Sequence, residues 1–178
     1  QELKVRFHMA AEMVLGSSNR GSYEIRVTNM QGKENDRPVQ HLLVLTRDFE
    51  PQVDILTPQR IEMEVSEDGQ QMIEVAARDP DFGLSLLQVK MFSGGKMLET
   101  KTLLQSSDGV KGSVNKRFDF VPREHGLQAG EVVTYWASAA DNRTDYLTGS
   151  ADPNTVRTFE HRFKITPPAK QDSRGNSQ

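Results

Sequence analysis

Apolar and polar residues alternate at every second position along most of this 178-residue chain. The clearest alternation lies in the stretch 73–95, where two such runs flank the acidic segment 79–83 and the second run ends at Gly94 and Gly95. A period of two indicates a β-strand that buries one face. Proline and glycine in segment 79–83 should end the first strand, because proline lacks a backbone donor and glycine tolerates unusual φ angles. The stretch therefore predicts a strand, an acidic corner, a second strand and a tight hairpin, as at the corner of a β-sandwich.

Further alternating or short apolar runs predict strands along the rest of the chain, at 2–9, 13–15, 23–28, 39–46, 53–56, 63–65, 97–104, 114–120, 131–140 and 159–165. Polar segments such as 106–109 and 141–154 separate them and are expected to be loops. In the run 131–140 the alternation places Tyr135 inward and Trp136 outward. His161 is also expected to face inward, where a histidine is more often a satisfied core residue than a metal ligand. The chain is therefore predicted to be all-β.

The strand pattern divides near Pro51, where only a few residues separate two runs. Residues 1–48 contain about four predicted strands, fewer than the roughly seven of a complete sandwich, and should form a partial immunoglobulin-like β unit. Residues 49–166 have enough strands for one complete immunoglobulin-like β-sandwich. Residues 167–178 are polar and without periodicity, and we expect a disordered tail there.

Composition excludes several classes of function. The net charge is −3, so the chain lacks the excess of lysine and arginine that binds nucleic acid. No apolar run approaches the roughly 20 residues of a membrane-spanning helix. Cysteine is absent, which excludes disulfides, thiol catalysis and cysteine-bound metals. The chain begins at Gln1 without a start methionine, and we expect it to be a piece of a longer protein.

Three segments together resemble a known type of repeat: GSYEIRVTNMQGK…HLLVLTRDFEPQVDILTP, VAARDPDFGLSLLQVKMFSGG and LQAGEVVTYWASAADN. They are similar to tandem immunoglobulin-like repeats of large, membrane-anchored envelope proteins of planctomycete-like bacteria, and the likeness covers most of residues 21–166. In those repeats an acidic corner precedes one central strand and a segment ending in Asp-Asn forms another. Here Pro80 interrupts the acidic corner and Glu131 replaces the usual aspartate. The resemblance implies an extracytoplasmic module, in the periplasm or cell envelope, and implies no chemistry.

Acidic residues are expected to gather at one end of the sandwich, where the linking segment, the acidic corner and the loop 141–154 should meet. We call this end the pole; its candidate ligands for Ca²⁺ are Asp48, Glu50, Asp79, Asp81, Asp141, Asn142 and Asp145. Ca²⁺ takes six to eight oxygen ligands, mostly carboxylate and carbonyl. Asp79-x-Asp81 is also similar to the paired-acid motif of cadherin-like repeats. The alternative is that these residues form and cap turns, as Asp and Asn commonly do.

Trp136 is the only tryptophan and is predicted to lie on the outer face of its strand. An exposed tryptophan there could stack on a sugar or anchor a partner. The alternative is that it packs against a neighbouring strand or against the other domain.

No residues combine into a convincing catalytic site, so we predict that the chain is not an enzyme and requires no cofactor. The leading hypothesis is a structural or interaction module of a larger extracytoplasmic protein, whose partners are another protein or neighbouring domains of the same chain. The alternative is a ligand-binding module, for Ca²⁺ at the pole or for carbohydrate through Trp136.

Overall fold

The computed structural model describes residues 20–24, 26, 32–33, 37, 39–44, 48–145 and 148–168. The chain separates into two compact units, Gln1–Arg47 and Asp48–Gln178. In the first unit, strands β1 (Arg20–Glu24) and β2 (Gln40–Val44) form an antiparallel pair. The predicted strand at 2–9 and residues 169–178 of the predicted tail lie outside the described residues. The partial immunoglobulin-like character of the first unit stays a prediction.

The second unit is built from β-strands. These strands are β3 (Gln52–Thr57), β4 (Glu62–Ser66), β5 (Gln71–Ser93), β6 (Lys96–Phe120), β7 (Val132–Asp141), β8 (Thr155–Arg157) and β9 (His161–Thr166). One short 3-10 helix, Pro122–His125, follows β6. Within the described residues, no helix is both long and apolar enough to cross a membrane.

Strand pairing arranges the second unit in two layers. The first layer contains β3, the first half of β5 and the second half of β6. The second layer contains the first half of β6, the second half of β5, then β7, β8 with β9, and β4. In the usual lettering this order is A-B-E against C′-C-F-G-A′, which is that of an immunoglobulin-like sandwich. The predicted fold class is therefore confirmed.

β5 and β6 pass from one layer to the other at adjacent bends. The sequence predicts that the first strand stops at 79–83 and that 106–109 is a loop, but both segments stay within long, bent strands. Glycine at both bends allows the backbones of β5 and β6 to approach each other closely. A Cβ on Gly83 would lie 3.0 Å from the carbonyl carbon of Gly109, and Gly109 itself has a φ of +74°. The strands can therefore bend together, with a shift in register between Asp79 and Leu84.

The core lies between the layers, and the alternation in β5 and β7 predicted its members correctly. Among the buried side chains are Ile73, Val75, Ala77, Leu87, Val89, Met91, Val133, Tyr135, Ala137 and Ala139. An aromatic cluster closes one part of the core: the ring centroids of Phe120 and Phe163 are 5.4 Å apart, and those of Phe163 and Tyr135 are 4.5 Å apart. Burial of these large apolar surfaces is the main source of stability for such a domain.

Candidate functional site

The pole is held together by the residues at which the chain enters the second unit. Asp48 Oδ2 accepts hydrogen bonds from Nη1 of Arg143 at 3.2 Å and from Nδ2 of Asn154 at 2.9 Å. The backbone N–H of Phe49 donates to Oδ2 of Asp81 at 3.0 Å. The segment before β3 is therefore tied both to the acidic corner and to the loop 142–154.

Asp141 holds the two ends of the loop 142–154 together. Its side chain is fully buried, and its Oδ1 accepts the backbone N–H groups of Arg143 at 3.0 Å and Asn154 at 2.9 Å. The two amides stand at the two ends of the loop. One carboxylate oxygen therefore fixes the spacing of the loop ends, in the manner of a capping residue.

Asp79 caps backbone N–H groups at the acidic corner, as Asp141 does in its loop. Its Oδ1 accepts the backbone N–H groups of Asp81 and Phe82, each at 3.0 Å. Burial raises the pKa of the Asp79 carboxyl above its ordinary value; the two backbone hydrogen bonds oppose that shift, and the neighbouring Asp81 adds to it. The corner thus keeps a buried carboxyl group that is less readily ionised than a free one.

The remaining predicted ligands are Asn142, Asp145 and Glu50. Asn142 packs onto the bend of β6, where its Nδ2 donates to the carbonyl of Asp108 at 2.9 Å. Asp145 accepts the backbone N–H of Thr148 at 2.7 Å, inside its own loop. Glu50 is exposed. The structure therefore brings Asp48, Asp81 and the loop carrying Asp141 together through direct hydrogen bonds.

Four side-chain oxygens of the predicted ligands are buried without a hydrogen-bond partner. They are Oδ1 of Asp48, Oδ2 of Asp79, Oδ2 of Asp141 and Oδ1 of Asn142. A buried oxygen without a partner is costly, and such atoms commonly mark a bound ion or ordered water. In the described ranges, however, no three Asp, Glu or His side chains are arranged to hold a metal ion. A metal at the pole would therefore need amide and backbone oxygens as well.

Arg143 also belongs to the pole, although it is not among the residues predicted there from the sequence. Besides Asp48, its guanidinium binds Oδ2 of Asp152 through Nη2 at 2.6 Å, and its Nε donates to the carbonyl of Asp152 at 2.7 Å. Asp152 and Asp48 raise the pKa of Arg143 further, so it stays charged. The signal was present in the sequence, because Arg143 is the only basic residue in the acidic loop 141–154. It supplies positive charge where the sequence suggested a metal.

Trp136 lies half-buried on the outer face of the second layer, and both faces of its ring are engaged. Phe92 stacks on it with ring centroids 4.8 Å apart and planes 9° from parallel. The Cζ of Arg157 lies 5.3 Å from the ring centroid. Because β5 and β8 flank β7 on opposite sides, the two partners approach from opposite sides. Sugar stacking on Trp136 stays a prediction, and it would require one of these partners to move.

An open groove of about 650 Å³ runs between β3 and the segment linking β8 to β9. Phe159 stands beside it with 89% of its surface exposed, and His161 is buried among its lining residues. Burial lowers the pKa of His161, and a hydrogen bond to the backbone of Arg60 opposes this shift in part. The inward position predicted for His161 is confirmed.

Protonation of His161 should make stability depend on pH. A histidine whose folded pKa lies below its unfolded value of about 6.5 is protonated more easily in the unfolded chain. Its contribution to stability is complete above that pH and is lost as the pH falls through the folded pKa. We expect the free energy of unfolding to fall between about pH 7 and pH 5, and to fall less in His161→Gln, whose amide can still donate to Arg60. Urea titrations at several pH values measure this.

Arg162→Gln, an exposed position next to His161 in β9, leaves every histidine intact; it is the matched control and should keep the wild-type dependence on pH. An unchanged slope in His161→Gln would show that another group controls stability in this range.

The strand order defines the second unit as an immunoglobulin-like β-sandwich. No family model matches the chain, and no curated protein matches it. Among solved structures, the chain is similar to an engineered protein at 14% identity, with 66% of this chain and 20% of that chain covered and a TM-score of 0.39. The chain therefore spans about a fifth of that protein's length.

Two further similar structures are natural domains. Fibronectin(III)-like modules of Clostridium thermocellum CbhA match at 12% identity over 88% of this chain and 68% of that chain, with a TM-score of 0.36. The CARDB domain of the PF1109 protein from Pyrococcus furiosus, solved in complex with di-metal ions, matches at 16% identity over 69% of this chain and 99% of that chain, with a TM-score of 0.37. The fold assignment above rests on the strand pairing of this chain.

Proposed function

We propose that the chain is a non-catalytic structural or interaction module of a larger extracytoplasmic protein. It spaces or presents neighbouring segments, or it binds a protein partner or other domains of the same chain. The observation that carries the proposal is the anchoring of Asp48 and Phe49. Residues that would otherwise form a free linker are bonded to the corner and to the loop of the pole. The point and direction at which the chain enters the sandwich are therefore fixed. The extracytoplasmic location rests on the resemblance of the sequence motifs.

The polar chemistry of the pole supports the same role. The Oδ1 atoms of Asp79 and Asp141 accept backbone N–H groups of their own loops, and Arg143 donates to both Asp48 and Asp152. Groups held in this way stabilise a shape, because the hydrogen bonds they make join parts of the same domain.

A domain exchange tests the structural role in the full-length protein. Residues 48–168 are replaced by an unrelated β-sandwich of similar length, whose ends are similarly spaced, and the localisation and function of the protein are measured in its host. A spacer tolerates the exchange, whereas a domain with its own catalytic or specific binding task does not. Loss of function with normal export would contradict the spacer role. Recovery of the tagged protein from the cytoplasm would contradict the location.

Calcium binding at the pole is a second candidate function, favoured by the four buried oxygens without partners. Asp141 is 0% exposed and Asp79 is 6% exposed, so their free oxygens are withdrawn from solvent. Oxygen-rich surroundings of this kind suit a hard cation such as Ca²⁺. The amide of Asn142 and backbone carbonyls of the loops would complete the ligand set.

Thermal unfolding with Ca²⁺ and with chelator decides this second candidate. If Ca²⁺ binds the folded state, a concentration 100-fold above Kd stabilises it by about 2.7 kcal/mol and raises Tm. Asp79→Asn and Asp141→Asn should abolish the rise. Asp119→Asn, an exposed substitution near the far end of β6, is the matched control and should keep it. An identical Tm in millimolar Ca²⁺ and in chelator would end the proposal.

A further inference from the structure

β6 lies at the edge of both layers, and its first half forms one edge of the second layer. Within the part of the chain that the structure describes, β6 pairs with β5 alone. Every second N–H and C=O group of such an edge strand points away from the sheet and can pair with another chain. The run from Glu99 to Thr102 pairs with β5 without a register shift. This part of the edge is therefore regular enough to take a further strand.

The residues along this edge match a reversed copy of themselves. When two copies of β6 are aligned in opposite directions about Thr100, this residue lies opposite itself, and Glu99 lies opposite the partner's Lys101. Because the arrangement is symmetric, the pair of opposite charges occurs twice. Two identical strands that pair antiparallel about a two-fold axis adopt this kind of alignment. Opposite charges at directly facing positions stabilise an antiparallel strand pair.

The two charged side chains lie where an added strand would reach them. Glu99 and Lys101 are two residues apart in β6, so their side chains lie on the same face of the strand. Oε1 of Glu99 and Nζ of Lys101 are 3.8 Å apart, and 29% and 47% of the two side chains are exposed. Oε2 of Glu99 also lies 3.5 Å from Nε2 of His125. A second copy of β6 beside the first would bring a further lysine to each glutamate.

The same charges select one alignment. A single charge at the edge of a sheet opposes strand addition, because an added strand would bury the charge without a counterion. Alignment about Glu99 would place glutamate opposite glutamate, and alignment about Lys101 would place lysine opposite lysine, which destabilises a strand pair. Of the symmetric alignments centred on residues 99, 100 and 101, only the one about Thr100 pairs opposite charges.

Apolar side chains on either side of the charged centre supply surface to bury. Met97 is 54% exposed, and Leu98 and Leu103 are half-buried. In the alignment about Thr100, Met97 lies opposite the partner's Leu103, so apolar residues meet on both sides of the two-fold axis. Covering them removes apolar surface from water, which favours association.

We propose that the second unit forms a symmetric dimer, in which the β6 edges of two copies of this chain pair antiparallel about Thr100. The pairing joins the second layers of the two copies into one continuous sheet. The dimer names a partner for the proposed interaction role and rests on that role. A module that pairs with a second copy of itself joins two copies of the protein that carries it.

Charge reversal tests the dimer and its alignment together. The mass of the 178-residue chain in solution is measured by analytical ultracentrifugation at micromolar to millimolar concentrations. We expect reversible dimerisation that depends on concentration. Lys101→Glu and Glu99→Lys each place like charges opposite each other across the axis, and each should weaken the dimer by about tenfold.

Two combinations restore the charge pairs and separate lost pairing from lost folding. Glu99→Lys together with Lys101→Glu in one chain exchanges the two charges, and this variant should dimerise as the wild type does. A mixture of the two single variants should form mixed dimers, because each glutamate then lies opposite a lysine of the other variant. Weak association in both combinations would overturn the proposed alignment, since these positions would not face each other.

A single cysteine locates the two-fold axis. The chain has no cysteine, so oxidation of Thr100→Cys can join only two copies of this position, which lie opposite each other at a spacing that suits a disulfide. Thr102→Cys, also exposed on β6, is the matched control. Its two copies would lie four residues apart along the strands, about 13 Å, which is too far for a disulfide. Equal cross-linking of the two variants would overturn the alignment about Thr100.

The outcomes separate the dimer from the function on which it rests. A chain that stays monomeric at every concentration would overturn the dimer, whereas the interaction role would still be decided by the domain exchange. A dimer that neither charge reversal weakens would also overturn the pairing of β6, because another surface would then hold the copies together. If the wild-type chain dimerises with the expected alignment but its host tolerates the domain exchange, the interaction role fails and the dimer stands as a property of the domain.

Discussion

Replacing Phe163 with alanine is expected to destabilise the second unit by about 3–5 kcal/mol. The side chain is fully buried, and its ring contacts Phe120 and Tyr135 at the centre of the aromatic cluster. Truncation removes apolar surface from the core and leaves a cavity that two rigid rings on other strands cannot fill. Denaturant unfolding followed by the fluorescence of Trp136 measures the loss as a shift in midpoint at unchanged slope.

The matched control lies four residues away. Phe159→Ala changes the same kind of side chain at a position that is 89% exposed, and it should alter the free energy of unfolding by less than about 0.5 kcal/mol. Equal effects of the two substitutions would mean that the groove beside Phe159 is filled in solution, or that the aromatic cluster is not packed as described.

Asp141→Ala should cost about 2–5 kcal/mol, the second largest effect we expect. The substitution removes the acceptor of two backbone amides, those of Arg143 and Asn154, which lie beside the fully buried carboxylate. Each amide then loses its partner, and the ends of the loop lose their spacing. Because Arg143 and Asn154 also hold Asp48, the tie to the incoming chain should weaken as well. Denaturant unfolding measures the cost, and faster hydrogen exchange of the two amides locates it.

Asp141→Asn separates the hydrogen bonds from the charge. The amide oxygen can still accept from Arg143 and Asn154, while the buried second oxygen, which has no partner, is replaced by an NH₂ group. In chelator we therefore expect this variant within about 1 kcal/mol of the wild type. If Asp141→Ala were as stable as the wild type, the capping role of Asp141 would be wrong.

The layers of the sandwich could be predicted because they depend on a local rule. Alternation fixes which side chains of β5 and β7 face the core wherever a strand buries one face, and Tyr135 and Met91 are inside for that reason. The bends could not be predicted in the same way. Proline and glycine at 79–83 do disturb the strand, but whether they end it depends on a second bend about 25 residues later, at Gly109, that lies against Gly83.

The pole was predictable in its location but not in its chemistry. Strand order alone brings the incoming segment, the acidic corner and the loop 142–154 to one end, as Asp48 and Asp81 show. The partners of each acid depend on contacts between distant residues, such as Arg143 with Asp48, which are 95 positions apart. A pattern of acidic residues cannot distinguish a carboxylate that caps a backbone amide from one that binds a cation, because both uses need the same oxygen atoms.

The continuity of β5 and β6 gives the second unit a simple route to its native pairing. The two strands form one long hairpin, closed at the turn between Ser93 and Lys96 and extending to Gln71 opposite Phe120. Pairing that begins at this turn can zip outward, residue by residue, through both bends. Each step then closes only a short loop, so the entropic cost of bringing distant residues together is met gradually. Pairing that starts at this one turn would thus place β5 and β6 in both layers. The other strands would then add to a pair whose register is already set.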